Sequence, residues 1–380
     1  MARIHITLVG GQTMPVYIGI LENPVDQIVL IHSNDSLKEA KQIKKTLDSD
    51  PKTLSSNLEM RLFDPVDYNK ILLGVQQCYK DYAKQDNEIS INISSGTKPW
   101  AIAFYSVFGN KEDVIIEYID QNCVIYDYTH HTSNLSKLNF DIPSILKYNG
   151  KQVDSSHSSF DEYTEDDLKN LKVIQDIRKV YFDDFNGLTI SNKKVNPFSE
   201  GQNIGKYSLK NGSTISWNKD SHFVQLDIKG KNGELVKRRI ASLHALHLVF
   251  YAGWFEYKVA ILLSKWKYAK EIWLNVTFPY ANKNPKNEID VIVNTGVKLL
   301  FVECKTHIFN QTDIDKFRTV VKNYGGMGCK ALFITEEKMR NDAKEKCSDS
   351  SILALSLKEE PSPQSLYSLL ENHLFSINSK

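Results

Sequence analysis

Short apolar runs alternate with segments of helical apolar spacing through the first part of the chain. The runs that predict strands are residues 4–9, 27–32, 58–63 and 89–93. Residues 114–119 and 123–128 follow as a predicted hairpin around Asp120-Gln121-Asn122. Strands that alternate with helices are typical of βαβ units, whose strands pair in parallel. The pattern therefore predicts an α/β domain of the nucleotide-binding type.

The pattern changes between the two halves of the chain. Residues 146–164 include a Ser-rich segment and predict a linker. Thr164 and Asp167 have the spacing of a capping box, which predicts a helix over about 165–182. Residues 186–239 carry repeated Asn-Gly and Lys-Gly turn signals and predict short strands, with two-residue hairpin turns at Asn211-Gly212 and Asn232-Gly233.

The remaining chain predicts a second α/β unit. A helix over 243–266 precedes strands over 271–279, 288–293 and 298–305, a helix over 312–324 and a strand over 330–335. The order is α-β-β-β-α-β, and the tail after residue 350 predicts a strand and a short helix. We expect two domains, 1–145 and 165–380, with the segment 186–239 as a β-rich insertion in the second.

Composition narrows the class of protein. The 380 residues are 41% apolar and 24% charged, which disfavours long disordered tracts. No run approaches the ~20 apolar residues that span a bilayer, and the first residues lack the apolar core of a signal peptide. The five cysteines are widely spaced without a CxxC motif, which disfavours a disulfide framework or zinc ribbon. We expect a cytoplasmic protein without a membrane partner.

Charge is distributed unevenly along the chain. Residues 1–150 carry 14 Lys/Arg against 18 Asp/Glu, whereas the whole chain has a net charge of +1. The densest basic stretch, 193–239, has ten Lys/Arg and four Asp/Glu. A basic stretch attracts polyanions such as nucleic acid. The alternative, of equal weight, is a solvated β-hairpin surface.

Two glycine turns follow predicted strands of the first domain. Gly10-Gly11-Gln12-Thr13 follows the first strand, and Ser94-Ser95-Gly96-Thr97-Lys98 follows the fourth. If these strands are neighbours, both turns lie where strand order reverses, which is where open α/β sheets bind ligands. Backbone N–H groups at helix N-termini and the Lys98 cation suit an anion such as a phosphodiester. The alternative is a pair of ordinary N-caps. Neither turn matches a dinucleotide or Walker motif.

A hairpin in the second domain carries the candidate chemistry. If Thr295-Gly296 is its two-residue turn, Glu288 faces Glu303, and Asp290 lies diagonally across from Glu303. Because side chains alternate along a strand, Asp290, Glu303 and Lys305 share one face within runs that are otherwise apolar. Such carboxylates are costly to bury unless they are paired or bound to a metal. They suit magnesium or manganese; the alternative is a buried salt-bridge cluster.

These residues resemble a known family. Asp290, followed thirteen positions later by Glu303-Cys304-Lys305 in this order of elements, is similar to the PD-(D/E)xK restriction-endonuclease-like superfamily. The family's proline before the aspartate is replaced here by Ile289. The resemblance implies a metal-dependent phosphodiester hydrolase in which Asp290, Glu303 and Lys305 are catalytic. It further implies that Glu256, on the preceding helix, completes the metal site with Asp290 and Glu303.

The N-terminal half resembles the CRISPR-associated Rossmann-fold (CARF) sensor domain, on the basis of its two glycine turns. Together the halves resemble the CARF nucleases of type III CRISPR antiviral defence. This implies a cyclic oligoadenylate activator, most often cyclic tetra-adenylate, bound across a homodimer. The residues implied to line it are Gly11, Gln12, Thr13, Ser95, Gly96, Thr97 and Lys98.

The resemblance implies an allosterically activated endonuclease that uses manganese or magnesium. Its substrates would be single-stranded RNA or DNA, or supercoiled DNA that it nicks. An alternative is a non-catalytic regulator that binds nucleic acid in response to the ligand. The co-occurrence of Glu256, Asp290, Glu303 and Lys305 favours the enzyme over the regulator. A further alternative is a constitutive endonuclease with an unrelated N-terminal domain.

Overall fold

The computed structural model describes residues 2–53, 56–83, 87–111, 113–151, 156–189, 197–198, 203–230, 233–279, 285–296, 298–307, 311–326, 329–359 and 362–375. The chain divides into two compact units. Unit 1 comprises Met1–Asp154, Asn294–Leu299 and Val321–Lys330; unit 2 comprises Ser155–Val293, Leu300–Val320 and Ala331–Lys380. Two short segments from the second half of the chain therefore belong to unit 1. The domain bounds expected from the sequence stay a prediction.

Unit 1 is built on a mixed sheet with flanking helices. Its strands are β1 Arg3–Leu8, β2 Gln27–His32, β3 Asn57–Leu62, β4 Glu88–Asn92, β5 Val114–Ile119, β6 Val124–Asp127 and β7 Thr132–Leu135. Its helices are α1 Met14–Glu22, α2 Leu37–Leu47, α3 Tyr68–Tyr82, α4 Lys98–Phe108 and α5 Ile142–Tyr148. The sheet order is β3-β2-β1-β4-β5-β6-β7. Strands β1 to β5 pair in parallel, whereas β6 pairs antiparallel with both β5 and β7. The predicted βαβ alternation and the β5–β6 hairpin are confirmed.

Two short elements of unit 1 are not among the predicted strands and helices. Strand β7 is exposed along its whole length and lacks the apolar alternation that would predict it, so it follows from pairing with β6. Helix α5 is short and is capped by Asp141, whose carboxylate accepts the Ser144 N–H. It buries Ile142, Ile145 and Leu146 at helical spacing.

The condition for a ligand crevice is met, because β1 pairs in parallel with both β2 and β4. The order of the strands thus reverses between β1 and β4, and the two glycine turns meet there. The Gly10 N–H donates to Ser95 Oγ at 3.0 Å. A Cβ on Gly10 would lie 2.7 Å from the Gly96 nitrogen, so the backbones approach as closely as only glycine permits.

Unit 2 contains two sheets. Its strands are β8 Ser156–Ser159, β9 Ile204–Ser208, β10 Thr214–Asn218, β11 Phe223–Lys229, β12 Leu235–Ala241, β13 Glu271–Pro279, β14 Pro285–Asn294, β15 Leu299–Lys305, β16 Lys330–Thr335 and β17 Ile352–Ser356. Its helices are α6 Glu165–Val180, α7 Phe182–Thr189, α8 Ala245–Val249, α9 Gly253–Ser264, α10 Thr312–Tyr324, α11 Asn341–Asp349 and α12 Pro363–Phe375. The larger sheet has the order β17-β16-β15-β14-β13-β8. The ends of β14, β15, α10 and β16 reach into unit 1.

The predicted order of elements is confirmed as α9-β13-β14-β15-α10-β16. The capping box is also confirmed, since the Thr164 N–H donates to Asp167 Oδ2 at 2.8 Å. The prediction of a single helix over residues 243–266 is wrong. The chain forms α8 and α9, which are separated where Tyr251 and Ala252 take positive φ values of 54° and 67°. Left-handed residues cannot continue an α-helix.

Residues 156–159, predicted as part of a linker, instead form β8, which pairs with β13. These residues are Ser and His, so the sequence shows no apolar alternation that would predict a strand. Pairing with β13 is what makes them one. No helix in the described part of the chain has the length and apolarity needed to cross a bilayer.

The predicted insertion is a four-stranded antiparallel sheet with the order β12-β11-β10-β9. A hairpin turn does form at Asn211-Gly212, with φ of +93° at Gly212. It has three residues rather than the predicted two, because the Leu209 N–H donates to the Ser213 carbonyl and Ser208 pairs with Thr214. The Asn232-Gly233 turn lies partly outside the described residues. One face of this sheet packs into the core of unit 2 through Trp217, Leu226 and their neighbours.

Candidate functional site

The hairpin of β14 and β15 has a different turn from the one predicted. The Thr295 N–H donates to the Lys298 carbonyl at 3.0 Å, and Thr295 Oγ1 donates to the same oxygen at 3.1 Å. Thr295 and Lys298 therefore flank the turn, and Thr295-Gly296 as its two central residues is wrong. Counting back from this pair sets Asp290 directly opposite Glu303 rather than diagonal to it.

The acidic and basic side chains of this hairpin converge. Lys305 Nζ lies 2.6 Å from Glu303 Oε1 and 3.4 Å from Asp290 Oδ2. Asp290 Oδ2 also accepts the backbone N–H of Cys304 at 2.7 Å. The structure thus brings together the three residues predicted to share a face. It also realises the salt-bridge cluster that was the alternative interpretation of the sequence.

Glu256 approaches the same cluster from helix α9. Because the chain breaks at residues 251–252, α9 begins at Gly253 and Glu256 falls in its first turn. Burial raises the pKa of Glu256 well above its usual value, and repulsion from Asp290 raises it further, while Lys305 opposes the shift. Glu256 is therefore within electrostatic reach of the hairpin residues.

The cluster contains more negative than positive charge. Burial and then repulsion from Asp290 raise the pKa of Glu303, although Lys305 lowers it. Burial disfavours the Lys305 ammonium, but attraction to Asp290 and Glu303 outweighs this and raises its pKa. Glu256, Asp290 and Glu303 against Lys305 leave an excess of two negative charges when all are ionised. Glu288 is a further carboxylate within electrostatic reach of the same residues. Burial is the larger cause of the raised carboxyl pKa values, and repulsion among the carboxylates adds to it.

The donor set fits a hard divalent cation in kind, since it consists of carboxylate oxygens with uncompensated charge. In the arrangement seen here, Lys305 Nζ lies against both Asp290 and Glu303. Among the described residues, no group of three or more His, Cys, Asp or Glu side chains is placed to hold a metal ion. The carboxylate oxygens are therefore of the kind that a hard divalent cation binds. In this arrangement, the Lys305 ammonium contacts the Asp290 and Glu303 carboxylates.

The predicted sensor residues divide between two cavities of unit 1. Gly11, Gln12 and Thr13 line a cavity of about 330 Å³, together with residues from four other segments of this unit. Gly11, Gly96 and Thr97 line a second cavity of about 300 Å³. Gly11 borders both, so the first glycine turn separates them.

The two other predicted sensor residues lie at the second turn. Ser95 is buried and accepts the Gly10 N–H, so it joins the two turns. Lys98 is exposed at the start of α4. Ser95 therefore has a structural contact, whereas the Lys98 side chain faces solvent.

The N-cap alternative for these turns does not hold. Neither Thr13 nor Thr97, which precede α1 and α4, makes a side-chain cap hydrogen bond. Thr13 Oγ1 donates to the Tyr148 carbonyl instead. Thr97 Oγ1 is buried without a hydrogen-bond partner among the described residues. The N-terminal N–H groups of both helices are therefore not occupied by their own cap side chains.

Sequence reasoning missed several residues of the larger cavity. These are charged side chains from distant segments of the chain: Asp120, Lys151, Lys298 and Lys322. Only Lys298 had a detectable signal, because it is an isolated lysine before the apolar run Leu299-Leu300-Phe301-Val302. A cation in such a run is costly to bury without a partner.

Comparisons with known proteins agree with this fold. Residues 4–143 match the family model described as the Card1 CARF domain. No curated protein matches the chain. Unit 1 therefore contains a Rossmann-like CARF domain, followed along the chain by the further sheets of unit 2.

Solved structures resemble nearly the whole chain at low identity. Can2 of Sulfobacillus thermosulfidooxidans, in complex with cyclic tetra-adenylate, is 16% identical with a TM-score of 0.65, over 98% of this chain and 99% of Can2. A Vibrio cholerae protein is 14% identical with a TM-score of 0.67, over 98% of this chain and 97% of that one. A type III CRISPR defence DNA nuclease activated by cyclic oligoadenylate is 12% identical with a TM-score of 0.52, over 90% of this chain and 46% of that nuclease. These likenesses establish the fold.

Burial of Glu256 beside other carboxylates predicts a pH-dependent cost to stability. Because the folded-state pKa of Glu256 is raised, ionisation destabilises the folded state as pH rises above the unfolded pKa. We expect Glu256→Gln to raise the thermal unfolding midpoint by several degrees at pH 8 and hardly at all near pH 4.5. Unfolding followed by circular dichroism across this range measures the effect. Glu345→Gln, at an exposed position of α11, is the control, and an equal gain at both pH values would contradict the charge assignment.

Proposed function

We propose that this protein is a cyclic oligoadenylate-activated, metal-dependent endonuclease of type III CRISPR defence, with a catalytic domain of the PD-(D/E)xK type. The observation that carries the proposal is the convergence of Asp290, Glu303 and Lys305 on one hairpin, with Glu256 in electrostatic reach. The match of residues 4–143 to a CARF model supports the sensor half. Single-stranded RNA or DNA, or supercoiled DNA, would be the substrate.

Glu256, Asp290 and Glu303 would hold manganese or magnesium. Such an ion, when bound, supplies a water of lowered pKa and neutralises charge on the scissile phosphate. Lys305, whose pKa is raised by its acidic neighbours, stays protonated and can donate to a phosphate oxygen. Cys304 is buried with a raised thiol pKa, which disfavours a role as nucleophile.

Cyclic tetra-adenylate would bind at the glycine turns of the sensor. The N-termini of α1 and α4, whose N-cap residues make no side-chain cap hydrogen bond, and the exposed Lys98 favour anionic groups. The buried hydroxyl of Thr97 adds a polar group without a partner among the described residues. These features match the phosphodiesters of an oligoadenylate.

The open face of the insertion sheet supports a nucleic-acid substrate. One row across its strands pairs Lys206, Ser216, Gln225 and Arg239. Lys206 and Arg239 are exposed, and the Arg239 guanidinium lies 4.2 Å from the centre of the Phe223 ring. Cations and an aromatic ring on one face of a sheet suit single-stranded nucleic acid, whose phosphates contact the cations and whose bases stack on the ring.

An apolar surface on unit 1 supports a homodimer. Ile102 and Tyr105 of α4 are 59% and 48% exposed, and they border a shallow depression with Tyr128. Exposed apolar patches of this kind mark contact surfaces. A second copy of this chain is the proposed occupant, because a ring bound across two equivalent turns requires a two-fold partner.

Removal of the side chain of either Glu303 or Lys305 on β15 should abolish cleavage. We expect Glu303→Ala and Lys305→Ala to lose at least about a hundredfold in rate, because each removes a group that contacts the reacting phosphate or its metal. The assay contains manganese and labelled single-stranded RNA, single-stranded DNA or supercoiled plasmid, each with and without cyclic tetra-adenylate. Cys304→Ala should keep cutting, since the backbone N–H that Asp290 accepts remains. Chelation of the metal should stop the reaction.

Calorimetry on the same variants separates the two halves of the proposal. Both should bind cyclic tetra-adenylate as the unaltered protein does. Undiminished cutting by either variant would refute the site. Cutting without ligand would indicate the constitutive nuclease, and ligand-dependent binding of nucleic acid without any cutting would indicate the regulator.

The exposed cation at the second turn should contribute to activator affinity. We expect Lys98→Ala to weaken cyclic tetra-adenylate binding about tenfold, because it removes a charge-assisted hydrogen bond to phosphate. Isothermal titration measures the change. Lys80→Ala, at an exposed position of α3, should bind normally. Equal affinity of the Lys98 variant and the unaltered protein would show that phosphate does not use this turn's cation.

The apolar surface should control the oligomeric state. We expect Tyr105→Glu to convert a dimer to a monomer in sedimentation velocity, because it places a charge in an apolar contact. Leu62→Glu, at a residue of β3 that is 61% exposed, is the matched control and should stay dimeric. A dimer that survives the Tyr105 substitution would place the contact elsewhere.

A further inference from the structure

The turn of the catalytic hairpin belongs to unit 1, whereas most of both its strands belongs to unit 2. Three hydrogen bonds hold the turn within unit 1. The Phe140 N–H donates to the Gly296 carbonyl at 2.7 Å, and Asn294 Nδ2 donates to the Phe140 carbonyl at 2.6 Å. Lys298 Nζ donates to Asn122 Oδ1 at 2.7 Å. The segment 294–299 is thus an integral part of the sensor unit.

Lys298 is an unusual residue for its position. Its side chain is 2% exposed at the start of the apolar strand β15. Burial lowers the pKa of the ammonium to about 8; Cys123 and Asp120 oppose this shift, and Lys330 adds to it. An ammonium that borders a cavity can donate a charge-assisted hydrogen bond to an anion bound there.

The cavity that Lys298 lines has the chemistry of an anion site. Lys151 and Lys322 also line it, against the single acidic residue Asp120. The charge is therefore +2 when all four side chains are ionised. Gln12 and Thr13, from the first glycine turn, complete the wall beside the N-terminus of α1. A volume of about 330 Å³ is at the small end of the range for ligand pockets, about 300–1,000 Å³, and suits one nucleotide.

We propose that Lys298 is an activator-binding residue, so that a phosphate of the bound oligoadenylate directly contacts the turn of the catalytic hairpin. The inference rests on the proposed function and adds the residue through which the ligand reaches the catalytic strands. Lys298 immediately precedes β15, and Glu303 lies on that strand five residues further along the chain. A ligand that binds its ammonium biases the position of that strand, provided that it binds one arrangement more tightly than the other.

The test measures cyclic tetra-adenylate binding to the full-length Lys298→Met protein by calorimetry. We expect affinity to fall about ten- to hundredfold, the cost of one hydrogen bond between a charged donor and phosphate. Lys298→Arg should stay within about threefold of the unaltered protein. Lys80→Met is the matched control on α3. Lys322→Met, an exposed position of the same cavity, should also weaken binding without risk to the core.

A second measurement uses the unaltered protein and so does not depend on how the variants fold. Hydrogen exchange of amides in residues 294–299 should slow when cyclic tetra-adenylate binds, because the ligand fixes the turn. Normal affinity of Lys298→Met, or unchanged exchange of the turn in a protein that binds the ligand, would overturn the inference and leave the proposed function intact. Failure of the unaltered protein to bind the ligand would overturn both.

Discussion

The pairing of β14 with β15 is the constraint on which the candidate chemistry depends. Antiparallel pairing fixes which side chains oppose each other, and here it sets Asp290 against Glu303 with Lys305 between their carboxylates. The same pairing ends in a turn that three hydrogen bonds hold within unit 1. One covalent hairpin therefore contains both the candidate catalytic groups and a lysine of the proposed ligand cavity. Any change in the turn has to act on the strands through that hairpin.

The cluster is poorly optimised for stability. Three carboxylates share one ammonium in a partly buried setting, and the raised pKa values of Glu256 and Glu303 show that the folded protein disfavours their charge. Replacing such a group by a neutral one commonly stabilises a protein, because functional sites retain charges that packing alone would remove. The retained excess of negative charge is what a divalent cation would offset. The same carboxylates therefore lower the stability of the fold and provide the ligands for the proposed metal ion.

The proposed ligand site of unit 1 depends on backbone approach rather than on a sequence motif. Parallel pairing of β1 with β4 brings the two turns together, and Gly10 leaves no space for a Cβ beside Gly96. Solved structures that share only 12–16% identity keep this fold, so side-chain identity is a weak guide to it. Fold by itself does not define activity, which is why the proposed function rests on the convergent side chains of the hairpin.

The sequence by itself determined the strands and helices with a strong apolar period, and the shared face of Asp290, Glu303 and Lys305. The predicted turn was one residue too early, which changes the pairing by two residues. A change of two residues leaves every side chain on its original face of the sheet, so the prediction of a shared face still holds. Only the tertiary structure decided that Asp290 faces Glu303 directly, that the helix breaks at Tyr251, and that residues 156–159 form a strand. It also decided that Lys298 lines a cavity of unit 1 together with the first glycine turn. Each of these depends on contacts between distant segments, which local periodicity does not encode.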